Sequence, residues 1–223
     1  MDDRGILCVF AKPPRPGEVK TRLAEEIGSE SAATLARAFF LDVWSVATSC
    51  PWSRAVLATT DVEAAEWAGV APIWPQGGGD LGDRLERMLQ RALRSVPFAV
   101  AIGTDSPGLP RRLLEDARRA LTTVDAVIGP CDDGGFYLLG MRRCPPGLLA
   151  DLPWSAADTF ARTFARLREH GLTVVVLPPW FDVDTASDLP RLRALLSRGD
   201  IEAPETERAL RSTALRKGSS GCA

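Results

Sequence analysis

Short apolar runs alternate with single helix-length segments along almost the whole chain, and this alternation most narrows what it can fold into. Residues 6–10, 55–58, 73–74, 98–102, 125–128, 136–141 and 173–177 read as strands. Between them, apolar residues at helical spacing predict helices over 31–48, 62–68, 81–94, 111–121, 156–169 and 189–197, with Asp61 placed to cap the second. Strands separated by single helices pair in parallel through right-handed crossovers, because a tight turn joins only antiparallel neighbours. The expected class is therefore α/β, doubly wound. With 223 residues, of which 45% are hydrophobic and 25% charged, the chain can bury one good-sized core. One domain is expected over 1–200. The pattern is lost after Gly199, and 201–223 reads as a weakly packed C-terminal helix followed by a tail.

Charge and cysteine usage exclude several classes of partner. A net charge of −2 without a sustained basic stripe argues against nucleic acid. No apolar run approaches the ~18–20 residues of a membrane span. The start, M-D-D-R-G-I, is acidic and runs into a strand, unlike a signal peptide, so a cytoplasmic protein is expected. Cys8, Cys50, Cys131, Cys144 and Cys222 form no C-x-x-C pair, and His170 is the one histidine, so no Cys/His zinc site is expected. Reduced thiols fit this odd count, with Cys8 a small core residue. His170 before Gly171 fits a helix C-terminus.

Four blocks carry the chemistry. The first is F-A-K-P-P-R-P-G-E-V-K-T-R-L at 10–23, a stiff, glycine-bearing loop after the first strand that holds Lys12, Arg15, Lys20 and Arg22. A basic loop there is where α/β sheets bind phosphate groups, although a solvated basic turn would read the same. The second is the strand 99–102 ending in Gly103-Thr104-Asp105-Ser106-Pro107. Asp105 stands where such sheets place a ligand and suits a divalent cation beside phosphates; the competing role is a cap for the following turn. Its partner carboxylate is sought in Asp182-Val183-Asp184-Thr185, where alternation puts both acids on one face of an extended segment, unless Asp184 is an N-cap. Third is Gly129-Pro130-Cys131-Asp132-Asp133-Gly134-Gly135, which reads as a hairpin turn or as a backbone that lets a sugar or phosphate approach, with Asp133 accepting from hydroxyls. The fourth, Gln76-Gly77-Gly78-Gly79-Asp80-Leu81-Gly82-Asp83-Arg84, opens a helix that Asp80 or Asp83 caps, and its glycines suit a loop that closes on a ligand. Trp154-Ser155, ahead of another helix, offers an aromatic face and a cap, with the ring more at home in the core. There is no G-x-G-x-x-G after the first strand, no G-x-x-x-x-G-K-[ST] and no G-x-S-x-G, which removes dinucleotide, P-loop and serine-hydrolase readings.

In this order, the blocks at 10–23, 79–84, 103–107, 129–140 and 182–189 resemble a bacterial family of uncharacterised transferases with the glycosyltransferase-A-like fold, commonly labelled as glycosyltransferases of the arsenosugar-biosynthesis type. The resemblance runs from about residue 6 to about residue 196. The K-T-R-L at 20–23 is similar to the K-[ST]-R-L of guanylyltransferases that act on phospholactate, in a superfamily that also holds the molybdenum-cofactor guanylyltransferases. The resemblance implies a three-layer, mostly parallel sheet of the nucleotide-diphospho-sugar transferase type, and a Mg²⁺- or Mn²⁺-dependent transfer from a nucleotide-activated donor. It implies Asp105 and Asp184 as metal carboxylates. It puts Lys12, Gly17, Lys20, Thr21, Arg22, Gly103, Asp105, Gly134 and Gly135 around nucleotide and phosphate, and Asp105, Asp133 and Lys20 in catalysis. Two departures stand out: Phe136 where relatives often have Tyr, and Ala156 where many have Thr. The expected activity is glycosyl transfer from a nucleoside diphosphate sugar to a small acceptor. The alternatives are nucleotidyl transfer to a small phosphorylated acid or sugar, and a non-catalytic nucleotide-binding regulator.

Overall fold

The apolar runs form one sheet: β1 (Gly5–Ala11), β2 (Ser53–Thr59), β3 (Ile73–Pro75), β4 (Ala99–Ile102), β5 (Ala126–Pro130), β6 (Phe136–Met141) and β7 (Val174–Val176). They lie in the order β3-β2-β1-β4-β6-β5-β7 in the computed structural model of the chain, which describes residues 4–219. All neighbours are parallel except those of β6, which runs antiparallel to β4 and β5. The exception has a local cause. Only the short Gly-bearing turn at 131–135 joins β5 to β6, too few residues for a crossover.

Successive residues of the central strands point to opposite faces, and both faces are covered. Leu7, Val9, Val100 and Ile102 pack under α2 (Ser29–Thr48) and α4 (Arg111–Ala120), through Phe40, Val43, Leu113 and Leu114. Ile6, Cys8, Ala99 and Ala101 pack under α3 (Leu81–Leu93) and α5 (Thr159–Glu169), through Leu85, Met88, Leu89 and Leu167. The result is the three-layer, mostly parallel α/β architecture. Burial pushes the Cys8 thiol up to about 12, as suits an inert core residue. Cys8, Cys50, Cys131 and Cys144 are all free thiols, and Cys222 lies outside the described residues. His170 is the C-cap of α5.

A third cluster sits at one corner, where α1 (Thr21–Ile27), α6 (Leu189–Arg198) and α7 (Pro204–Ser219) meet the other face of α2 through Leu23, Leu35, Phe39, Leu192 and Leu210. This corner departs from the weakly packed segment expected from residue 201 onward. Ile201, Ala203, Thr206, Ala209 and Leu210 are all buried. Asp42 of α2 accepts hydrogen bonds from the backbone N–H groups of Glu205 (3.0 Å) and Thr206 (2.8 Å), capping α7 from the neighbouring helix.

Three other expectations change. The helix expected over 62–68 is a single 3₁₀ turn at Ala65–Trp67. Its N-cap is Ala64 rather than Asp61, whose carboxylate accepts from the Glu63 N–H at 3.1 Å and holds Arg15 at 2.8 Å. Trp67 decides the matter by packing on Phe40 at 4.8 Å between ring centroids and donating its indole N–H to Thr59 Oγ1 and the Asp61 carbonyl. α1 was not anticipated, since Leu23 is its one fully buried residue and leaves little periodicity to read. α5 starts at Thr159 rather than 156, because the Thr159 hydroxyl, bonded to the carbonyls of Pro153 and Ala156 (2.7 Å each), holds the preceding turn. Among the described residues, no helix is long and apolar enough to cross a membrane.

Candidate functional site

The strand order reverses between β1 and β4, and in open α/β sheets the loops at such a point part to leave a crevice beyond the strands' C-terminal ends. The first loop leaves β1 here, and Gly103-Thr104-Asp105 leaves β4 beside it. Between them lies a cavity of about 600 Å³. Lys12, Lys20, Thr21 and Arg22 line it from one side, Gly103 and Asp105 from the next, and Asp184 from the loop beyond β7. Space is open beside Gly103, where a Cβ would meet nothing closer than the Asp105 nitrogen at 4.0 Å.

Lys20 is the hinge of the arrangement. It has a left-handed backbone (φ 48°, ψ 44°) immediately before α1, an uncommon conformation for a residue with a side chain. Its ammonium donates to Asp184 Oδ1 at 2.8 Å and pairs with Asp105 Oδ1. Its side chain is only 7% exposed, while those of Asp105 and Asp184 are 53% and 38% exposed. Burial alone would depress the ammonium; the two carboxylates outweigh it, and the net shift is upward.

The capping alternatives give way for both acids. The Asp105 carboxylate is held by Lys20 rather than by the turn that follows it, and the N-cap of α4 is Pro110. Thr185 forms a capping box with Asp188 around the 3₁₀ turn Ala186–Asp188, which leaves Asp184 to Lys20. The backbone ties the two loops together, Val183 N–H donating to the Asp105 carbonyl at 2.9 Å.

The basic loop divides its cations. Arg15 is taken by Asp61 (2.8 Å) and Glu66 (3.0 Å) and serves the structure. Lys12 and Arg22 face the cavity and have no ion-pair partner among the described residues. Gly17 does not line the cavity.

The third block lies to one side. Asp133, Gly134 and Gly135 do not line the cavity. Asp133 accepts from the Gly135 N–H at 2.8 Å, and Asp132 pairs with Arg191 at 2.5 Å. Gly134 is required for packing: its φ is +89°, and a Cβ there would lie 1.9 Å from the Ala157 carbonyl oxygen. The Asp133 carboxylate groups with Cys131 Sγ and Asp182, one ligand atom of each within 4.8 Å of the others. Asp182 accepts from Ser106 Oγ (2.6 Å) and Cys131 Sγ (3.1 Å). Burial pushes its carboxyl up to about 6, the two hydrogen bonds opposing and the charges of Asp105 and Asp133 adding.

The fourth block contributes a wall. Asp80 and Asp83 form the capping box of α3, while Gln76, Leu81 and Arg84 line the cavity. Gln76 is fixed there by donating its side-chain amide to the Ala58 carbonyl at 2.8 Å. Ser155 reaches the cavity, and the Trp154 ring packs edge-on to Phe136 against the core. Phe39 and Phe40 of α2 also line the cavity, and sequence reasoning missed them because their helical spacing marks core equally well.

Fold and cleft together define the nucleotide-diphospho-sugar transferase class of α/β architecture. The crystal structure of a candidate nucleotide-diphospho-sugar transferase from Desulfovibrio desulfuricans G20 is 32% identical over 96% of this chain and 96% of that one, with a TM-score of 0.83. The chain belongs to the family described as uncharacterized proteins conserved in bacteria, DUF2064, whose pattern matches residues 42–156. Two more distant structures share the fold. CMP:2-keto-3-deoxy-manno-octonic acid synthetase complexed with CTP is 13% identical over 88% of this chain and 99% of its own (TM-score 0.56). Rv0371c of Mycobacterium tuberculosis H37Rv in complex with manganese is 18% identical over 84% and 97% (TM-score 0.51). No curated protein matches the chain.

Proposed function

We propose that the cleft binds the diphosphate of a nucleotide-activated donor with a divalent cation, and that the protein is a glycosyltransferase moving a sugar to a small acceptor. The observation that carries this reading is the convergence of Lys12, Lys20 and Arg22 with Asp105 and Asp184 on one cavity at the switch point of the sheet. The Desulfovibrio protein, by its description, supports the same class.

Asp105 and Asp184 fit a cation. Each places one oxygen on the same ammonium, so the two converge on a single point, and hard carboxylate oxygens suit Mg²⁺ or Mn²⁺. The manganese complex of a fold neighbour is in keeping with this. When bound, the ion would offset the charge that develops on the leaving diphosphate. Lys12 and Arg22 would hold phosphate oxygens as point charge and planar fork, with Lys20 beside them and Thr21 and Gly103 bounding the site. Asp133 would position the acceptor from the cluster it forms with Cys131 and Asp182, while Gly17, Gly134 and Gly135 would shape the loops around it. Residues 1–200 form the working unit in this reading, acting in the cytoplasm, with Ile201, Ala209 and Leu210 bracing one corner.

One observation favours nucleotidyl transfer as the second reading: three cations from the first loop and the start of α1 line the cavity, an ample set for a triphosphate. A fold neighbour was solved with CTP, a nucleoside triphosphate. Phosphorus NMR separates the two. Release of pyrophosphate from a triphosphate marks nucleotidyl transfer, and conversion of a sugar nucleotide to its diphosphate marks glycosyl transfer. Asp105→Asn should lower Mn²⁺-dependent nucleotide affinity at least tenfold by calorimetry without changing the fold. Unchanged metal-dependent binding would remove Asp105 from the site.

A further inference from the structure

The ammonium of Lys20 stands where a cation shared by two carboxylates would stand. It is sheltered: the side chain is 7% exposed, with the Phe39 ring 5.8 Å from Nζ. A divalent ion on the same two oxygens would meet a positive charge at close range with little water to screen it. We propose that Lys20 is the resident counter-cation of the cleft. A divalent ion then gains both Asp105 and Asp184 only when the phosphates of an incoming nucleotide draw the ammonium away. The metal therefore binds with the nucleotide rather than ahead of it. This rests on the reading of Asp105 and Asp184 as cation ligands.

Three further observations support the exchange. Lys20 itself lines the cavity, so its ammonium can reach a ligand there while its backbone stays at the head of α1. Lysine carries its charge on a flexible four-carbon stem, suited to moving between anionic partners. Lys12 on the loop before it and Arg22 in the first turn of α1, without ion-pair partners among the described residues, would bring phosphates in beside it.

The test is equilibrium dialysis of Mn²⁺, with protein alone and with inorganic pyrophosphate as the phosphate probe. Lys20→Met should bind Mn²⁺ alone at least tenfold more tightly than the unaltered protein. Pyrophosphate should strengthen Mn²⁺ binding to the unaltered protein at least tenfold more than to the variant. Lys20→Gly, which suits a φ of 48° better than lysine does, should behave like Lys20→Met, and Lys20→Arg like the unaltered protein. If Lys20→Met and Lys20→Gly bind Mn²⁺ no more tightly than the unaltered protein, Lys20 does not compete with the metal and the proposal is overturned. If Asp105→Asn leaves Mn²⁺ binding unchanged, the reading beneath it falls as well.

Discussion

Asp182 and Asp184, one residue apart, have opposite surroundings. Asp184 is half-exposed and rests on the Lys20 ammonium, while Asp182 turns inward to Ser106 and Cys131. Burial lifts the Asp182 carboxyl to about 6, from an ordinary value of 3.8. A carboxyl raised by folding contributes stability at low pH that is lost as pH rises through its folded value. Two units at ~1.4 kcal/mol each make the loss about 3 kcal/mol at most. Asp182→Asn, which keeps an acceptor for Ser106 without the charge, should gain on the unaltered protein as pH rises from 4 to 8. Thermal midpoints of the two proteins measure this, and a gap independent of pH would contradict it. Gly134→Ala should cost about 2–4 kcal/mol in denaturant unfolding, since its Cβ would strike the Ala157 carbonyl at a φ of +89°. The pattern D-V-D made both acids visible in the sequence but did not tell them apart. Ser106 and Cys131 lie 76 and 51 residues away from Asp182 in the chain, beyond the reach of any local rule.

At the scale of elements, the long amphipathic helices and the buried strands were legible because their periodicity is set by the core they bury. Elements with little of their own to bury were not. α1 buries one residue fully, and Trp67 overrides the helical tendency of 62–68 through contacts to Phe40 and Thr59. α7 shows the same principle in reverse: its polar sequence hides a first turn fixed by Asp42 of α2. Asp42→Ala leaves two helix N–H groups without their acceptor and should cost about 1–2 kcal/mol, as a lost cap does. Because α2 also carries Phe39 and Phe40 to the cavity, ending the chain at 203 should lower ligand affinity as well as thermal stability. Affinity unchanged in a folded truncated chain would show that the corner does not support the cleft.

Across the whole molecule, the candidate site is an assembly of loops that meet only because six parallel strands and one reversed one bring their ends to a single edge, where the strand order switches between β1 and β4. The motifs were each visible in the sequence, as were the cations and acids within them. Their convergence was not. Nor could the sequence show that Arg15 pairs with Asp61 and Glu66, or that the turn at 134–135, one of the two readings open there, lies outside the cavity lining. The measurement that bears most directly on the account is thermal unfolding of the protein with nucleoside diphosphate sugars and nucleoside triphosphates, each with and without Mg²⁺ or Mn²⁺. A ligand at ~100 times its dissociation constant adds roughly 2.7 kcal/mol, a readily visible shift. The account predicts a metal-dependent rise, larger with a sugar nucleotide than with its parent diphosphate or triphosphate. No shift with any of these ligands, with or without metal, would contradict it.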